Sequence, residues 1–373
     1  MNACNLWHMH RTLAWTADPL STESMRPVLS QLLVDPYDAV RDAAGSLRAV
    51  LVLASLGSRA ARRRELTMAR AVAVGTLASE KMLTGPLARR RELLARVADA
   101  GLDHVFVADH VSFHTGFGMD GIVQAASVLA ADERLAVQIG VYLLALRHPV
   151  LVARQLATLC ESAPGRLVLG VGVGGEDRHE IEICGVDPAT RGRRTDESLV
   201  ALRGLLTGEP LTHHCEFFEF EAARIRPAPD PPVPIVVGGR SDAAIRRAAR
   251  HGDGWLGVWC SPARYAQVLA RIRAEAEAAG RRDVCWQHGL QIWVGVDDDR
   301  AKARERLAAR MQSMYRIPFE RFEKYSPFGG AAEIAEFMAP YVEAGCTSFN
   351  VMAVGPSSEY AVDAVAALKE RLA

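Results

Sequence analysis

The sequence predicts a (β/α)8 TIM barrel, an α/β fold, and three observations carry that prediction. From Met68 onward the 373-residue chain alternates short apolar runs with longer stretches of helical periodicity. Eight such pairs follow one another over about 300 residues, the span and count of a closed parallel barrel. Apolar residues make up 49% and charged residues 24%, enough material for one large core.

The first strand is read at Ala71 to Leu77, an unbroken apolar run. Pro86 then opens a helix whose Leu87, Leu94, Val97 and Ala98 face inward, and Gly101 ends it. Proline suits the first helical turn, and glycine suits the left-handed position after the last. Strand two, His104 to Ala108, leads to helix Gly121 to Ala131, and strand three, Leu135 to Val141, to helix Pro149 to Glu161. Strand four, Arg166 to Val171, precedes a long helix from Thr195 to Leu206 that stops at Gly208. Strand five, Pro234 to Val237, is followed by helix Ser241 to Arg250, and strand six, Gly254 to Val258, by helix Pro262 to Ala279. Strand seven, Leu290 to Val296, runs into helix Arg300 to Met314, and strand eight, Ser348 to Met352, into helix Tyr360 to Leu372. Insertions after strands four, five and seven are expected to break the rhythm. The long segments are Gly172 to Arg194, Thr212 to Pro232 and Pro318 to Gly330, and Phe217, Phe218 and Phe220 suggest a hairpin in the second.

Residues 1 to 67 differ in character. Met25 to Val52 reads as two short helices around Asp35-Pro36, followed by the basic run Arg62, Arg63 and Arg64. One such helical unit cannot bury its own apolar face, and the sequence holds no second copy. Residues 1–67 are therefore read as an N-terminal helical extension, poorly anchored or upstream of a functional start at Met68, and residues 68–373 as the barrel domain.

Lys+Arg 44 and Asp+Glu 44 cancel, which excludes a general attraction for nucleic acid or anionic membrane. The longest apolar stretch, Ala49 to Leu56, is far short of the roughly 20 residues of a membrane helix and starts too late for a secretory signal. A cytoplasmic protein with a small-molecule substrate is expected, and assembly as a homodimer is left open. Seven cysteines without a C-x-x-C pair argue against a disulfide framework or zinc knuckle.

Barrel ligands sit at the C-terminal ends of the strands, so residues just after each strand are read first. Asp109-His110 follows strand two. Histidine exchanges protons near neutral pH and a neighbouring carboxylate orients it, although a loop histidine bonded to backbone fits equally by residue type. Gly170 to Gly175 reads GVGVGG after strand four. It fits the dinucleotide pattern literally, which keeps a NAD-dependent dehydrogenase as a rival reading. The charged stretch Glu176 to Glu180, and Arg193-Arg194 where an acidic residue belongs, favour instead a bare backbone against a flat or phosphorylated ligand. Gly238-Gly239-Arg240-Ser241 follows strand five and opens a helix, the outline of a phosphate site, with Ser241 as an ordinary N-cap the plain alternative. Arg191, Arg193 and Arg194 form a local cationic cluster. His148 and His213-His214 lack carboxylate or cysteine partners at metal-ligand spacing, so no metal is assigned.

In this order, these pieces resemble the bacterial luciferase-like monooxygenase superfamily of flavin- and deazaflavin-dependent oxidoreductases. The resemblance rests on Gly101-Leu102-Asp103 through Ala108-Asp109-His110, Arg147-His148-Pro149 before VLVARQLATL, and Gly165-Arg166-Leu167 into GVGVGG. It continues through Gly185-Val186-Asp187-Pro188 to Arg194 and from Val237 through Ser241 to Asp253-Gly254-Trp255, and it covers about Ala71 to Ala373. It implies a barrel that binds reduced flavin or coenzyme F420 across its C-terminal face. His110 would lie beside the cofactor ring, with Asp109 as its partner. Gly172, Gly174 and Gly175, together with Gly238, Gly239 and Ser241, would build the ring and phosphate sites. Some deazaflavin-dependent members carry a glutamate proton donor directly after a shorter glycine loop, and here Glu176 follows one extra glycine. The family also implies a non-proline cis peptide against the ring after strand three, by position Tyr142 to Leu143. Arg194 and Arg240, with Arg191 and Arg193, would hold the carboxylated F420 tail. The expected function is thus F420-dependent hydride transfer to or from a small organic substrate. FMN-dependent oxygen insertion and a non-catalytic ligand-binding barrel are the alternatives.

Overall fold

The computed structural model describes residues 72–372 apart from positions 115 and 176. The chain divides into two units, Met1–Arg70 and Ala71–Ala373, and the described residues belong to the second. The extension read over residues 1–67 and the role read for Glu176 lie outside them.

Along the chain, β1 (Ala73–Leu77) leads through α1 (Glu80–Leu83) and α2 (Leu87–Asp99) to β2 (His104–Val107). A hairpin of β3 (His110–Phe113) and β4 (Phe117–Met119) precedes α3 (Gly121–Ala131), β5 (Ala136–Leu143) and α4 (Pro149–Ser162). β6 (Leu167–Gly172) is followed by α5 (Arg178–Ile183), α6 (Arg191–Leu205) and a second hairpin of β7 (Leu211–His214) and β8 (Glu219–Ala223). Then come β9 (Ile235–Gly238), α7 (Asp242–His251), β10 (Gly254–Val258), α8 (Pro262–Ala278), β11 (Gly289–Val296) and α9 (Arg300–Tyr315). β12 (Phe328–Gly329), α10 (Ala331–Glu343), β13 (Ser348–Val354) and α11 (Ser358–Leu372) complete the unit.

β1, β2, β5, β6, β9, β10, β11 and β13 pair in parallel, each with its successor, and β1 pairs with β13. The eight-stranded ring is therefore closed and leaves no barrel edge to pair with another chain. The core lies between strands and helices, where Val105, Val137, Leu169 and Ile235 are fully buried. Helix starts follow the sequence signals. Asp120, Ser241, Ser261 and Asp299 each accept a backbone N–H from the first turn of the helix that follows. A smaller aromatic cluster of Phe106, Trp293, Phe319, Phe322 and Met352 packs with α9 and the segment after it. No helix among the described residues is long and apolar enough to cross a membrane.

Three expectations need correction. Strand five carries no insertion, because β9 passes through Gly239 and Arg240 directly to the Ser241 cap of α7. The hairpin read within Thr212 to Pro232 is present as β7 and β8, but it lies between α6 and β9 and so precedes strand five. A further hairpin, β3 with β4, follows strand two and makes His110 a strand residue paired with Met119. The cis peptide falls at Gly140–Val141 rather than Tyr142–Leu143. The β5–β6 register is irregular between Ile139 and Tyr142, so the bulge exists but sits earlier than placed. Tyr142 cannot serve as its tip, since its ring is buried against Arg147, whose guanidinium stands 4.6 Å from the ring centre. Gly140 can, because a side chain there would crowd Asn350 Nδ2 and Gln291 Oε1.

Candidate active site

A cleft of about 270 Å³ opens at the C-terminal ends of the barrel strands, at the lower end of the range for small-molecule sites. One wall is nearly bare backbone, from Gly140-Val141 of β5 through Gly172 to Gly175 after β6 and Gly238-Gly239 after β9. Val141 explains part of this. A Cβ on Gly172 would stand 2.3 Å from Val141 Cγ2, and one on Gly238 would stand 2.9 Å from Val141 Cγ1. These glycines thus form the socket of a valine and at the same time flatten the wall. Gly174 (φ +68°) and Gly175 (φ +127°) turn the chain through the left-handed region that other residues avoid.

Much of the remaining lining is aromatic and thioether-rich, with Phe106, Phe113, Trp259, Met314, Tyr315 and Met352. Trp259 follows β10 directly and packs edge-on against Tyr315 at 5.1 Å. Tyr315 ends α9, and Phe322 of the insertion after strand seven backs both rings. His110 lines the same cleft, its ring 4.3 Å from that of Phe113. Its Nδ1 is 3.1 Å from Glu180 Oε2, and Glu180 Oε1 accepts the backbone N–H groups of Val111 at 2.7 Å and Ser112 at 3.0 Å. The Glu180 side chain is 4% exposed and the His110 side chain 22%. A buried carboxylate with three donors thus fixes the imidazole and leaves Nε2 for the cleft. Asp177 ties the same corner together. It caps α5 through His179 N and accepts His114 N at 2.6 Å, and these backbone bonds hold its carboxyl below the usual range.

The structure brings some of the expected residues together and places others elsewhere. His110, Asp109, Leu143, Gly172, Gly174, Gly175, Gly238 and Gly239 all line the cleft. Asp109 is not the partner of His110. It is buried, receives a two-pronged contact from Arg147 at 2.7 and 2.9 Å, and accepts the N–H groups of Gly121 and Leu143. Burial pushes its carboxyl up against the pull of Arg147 and those two donors. These bonds tie together the segments that follow β2, open α3 and end β5. Tyr142 lies outside the cleft lining, and Ser241 caps α7 through Ala244 N.

The arginine cluster divides. Arg193 pairs with Glu216, and Arg194 donates to Ala145 O and stands 4.5 Å from the Phe218 ring, so both serve the second hairpin. Arg191 turns the other way. Its guanidinium lies against Gly175, and its Nε is buried without a partner. Arg240 lies over Trp259 at 5.5 Å. The reason given for assigning no metal fails in space, since donor atoms of Glu197, His213 and Cys215 lie within 4.8 Å of one another. There Glu197 accepts the N–H groups of Phe217 and Phe218 and fastens the hairpin to α6.

Sequence reasoning missed Glu180, Trp259 and Gln291. Trp259 was within reach of the strand-end rule, since it directly follows strand six. Glu180 sat in a stretch read only as charged, and its pairing with His110 spans 70 positions of chain.

The family model described as luciferase-like monooxygenase matches residues 68–372. An uncharacterised protein of Mycobacterium tuberculosis is 38% identical over 163 residues, 44% of this chain, so the alignment spans only 56% of that relative's length. An F420-dependent glucose-6-phosphate dehydrogenase of Kineococcus radiotolerans is 29% identical over 310 residues, covering 74% of this chain and 89% of the relative. Among solved structures, an F420-dependent secondary alcohol dehydrogenase in complex with an F420-acetone adduct superposes with a TM-score of 0.71 at 21% identity. That superposition covers 81% of this chain and 99% of the other, and it bears on the fold alone.

Proposed function

The chain belongs to the luciferase-like monooxygenase family, and from that premise we propose that it is an F420-dependent oxidoreductase acting on a small organic substrate. The observation that carries the reading is the pairing of one flat glycine wall with one oriented imidazole across the same cleft. The residues fit a deazaflavin. Gly172 to Gly175 and Gly238-Gly239 offer backbone without side chains to a planar ring, and the buried, unpartnered Arg191 Nε beside Gly175 suits an anionic group. A bound deazaflavin supplies a two-electron hydride acceptor or donor. His110 Nε2 takes the hydroxyl proton of an alcohol being oxidised, or gives it back to a carbonyl being reduced, while Glu180 keeps the ring in place. The aromatic wall excludes water from the reacting carbon.

Relatives named as F420-dependent support the deazaflavin over FMN. Arg193 and Arg194 no longer support it, which leaves Arg191 and Arg240 for the phosphate and tail. Titration of the full chain with oxidised F420 and with FMN, followed by fluorescence, tests the choice. F420 should bind at least tenfold more tightly, with affinity reduced in Arg191→Met. Tighter FMN binding returns the protein to oxygen-inserting chemistry.

A further inference from the structure

Resting on that oxidoreductase reading, we infer that the substrate is an uncharged, mainly apolar alcohol or carbonyl compound rather than a phosphorylated or carboxylated one. The side chains that line the cleft set its charge. Among the described residues, none of the lining side chains is Lys or Arg, and the ionisable acids are Asp109, Asp177 and Glu180. Asp109 is neutralised by Arg147, which also reaches Asp120 at 3.2 Å and so has no charge to spare. Among the described residues, Glu180 and Asp177 contact no arginine or lysine, only backbone N–H groups and the imidazoles of His110 and His114. The acidic side chains of the lining therefore gather around His110, with no lining arginine or lysine beside them. Like charges in a poorly solvated site repel strongly, so a phosphate or carboxylate brought to His110 is disfavoured at the reacting position.

Two cations stand near the cleft without lining it: Arg191 lies against Gly175 on the glycine wall that the cofactor reading already occupies, and Arg240, which follows Gly239, lies over the Trp259 ring at 5.5 Å. What remains for the substrate is Phe106, Phe113, Trp259, Met314 and Met352, a surface that binds by burying apolar area. Methionine adapts its shape to varied occupants, which suits an aliphatic body of variable length. Apart from Arg191 Nε beside Gly175, the unpartnered polar groups near the cleft are neutral. Gln291 Oε1 and Asn350 Nδ2 stand 3.3 and 3.1 Å from the place a Gly140 Cβ would take, and neither has a hydrogen-bond partner. Trp259 Nε1 is likewise buried and unpartnered. One acceptor and two donors without formal charge match a hydroxyl or carbonyl oxygen and match an anion poorly.

The test uses the full chain loaded with F420, after binding has been checked by cofactor fluorescence. Oxidised F420 is offered 2-propanol, 2-butanol, 2-octanol and cyclohexanol on one side, and glucose-6-phosphate and lactate on the other. Reduction is followed by loss of the cofactor's absorbance. The expected result is a kcat/KM at least 100-fold higher for the best neutral alcohol, with KM falling as the aliphatic chain lengthens. Met314→Lys, which puts a cation on the apolar wall, should shift the ratio toward the phosphate ester by at least tenfold. With cofactor bound, preferential turnover of glucose-6-phosphate or lactate, inertness of every neutral alcohol, or an unshifted ratio in the lysine variant overturns the substrate assignment alone. Failure of the chain to bind F420 overturns the oxidoreductase reading beneath it, and the substrate assignment falls with it.

Discussion

At the scale of single residues, the cleft separates two carboxylates that look alike in the sequence. Asp109 stands next to His110 in the chain and binds Arg147, whereas Glu180 lies 70 positions away and binds the imidazole. Their substitutions should therefore behave differently. His110→Ala should lower turnover by about 100-fold or more while leaving F420 affinity within a few-fold, the pattern of a lost proton donor or acceptor. Glu180→Gln keeps the size and an acceptor oxygen but removes the charge that fixes the ring. Steady-state kinetics should show at least a tenfold fall in kcat with KM little changed, and a shifted pH–rate profile that a purely structural role would leave alone. Arg147→Met, by contrast, strands a buried carboxylate and should cost about 3–5 kcal/mol of stability in urea unfolding, as broken buried pairs do. A wild-type unfolding curve for this variant would show that the Asp109 clamp is not structural. None of this was legible from adjacency, because consecutive residues on an extended chain point to opposite faces and the true partner comes from another loop.

At the scale of elements, the eight barrel strands and the helices after them were readable from local signals, an apolar run for each strand and, at many helix ends, a capping residue or a terminal glycine. The hairpins were harder. The β3–β4 hairpin has no tight-turn dipeptide of the Asn-Gly kind, β3 shows no clean alternation of buried and exposed residues, and its pairing is interrupted by a register shift. The glycine loop was legible as glycine but not as packing, since the need for Gly172 and Gly238 arises from Val141 of β5. That dependence makes a prediction. Gly172→Ala should destabilise the barrel by about 1–3 kcal/mol through overpacking, and Val141→Ala in the same chain should recover a large part of the loss. A double-mutant cycle of thermal or urea unfolding measures the coupling, expected at about 0.5–3 kcal/mol. Additive effects would mean that the socket relaxes freely and that the glycine wall serves the ligand alone.

At the scale of the whole molecule, closing eight strands into a ring places several histidines where water cannot reach them, a consequence that no local pattern signals. His288 is 2% exposed, accepts Trp255 N at Nδ1 and stacks on Trp286 at 5.2 Å. Burial, with the Arg273 charge adding to it, lowers its pKa from the ordinary 6.5 to about 4. His104, whose Nε2 donates to Asn350 Oδ1 inside the barrel, is lowered by burial as well, and so is the half-buried His251. Between pH 6.5 and about 4 the unfolded chain therefore binds protons that the folded chain refuses. Stability is complete above the unfolded pKa and drains away as pH falls through this window. For His288 alone the loss approaches about 3 kcal/mol by pH 4, from a shift of roughly 2.5 units at 1.36 kcal/mol each. The aspartates whose pKa is depressed by hydrogen bonds, Asp132 and Asp177 among them, lose their contribution below the ordinary carboxylate range, so the two effects separate along the pH axis. Urea unfolding between pH 8 and 4.5 should show a plateau above 7 and a steady decline below it. His288→Asn, which retains an acceptor for Trp255 N but cannot titrate, should lower the plateau and flatten the decline by about 2 kcal/mol. An unchanged slope in that variant would place the acid sensitivity in the carboxylates instead.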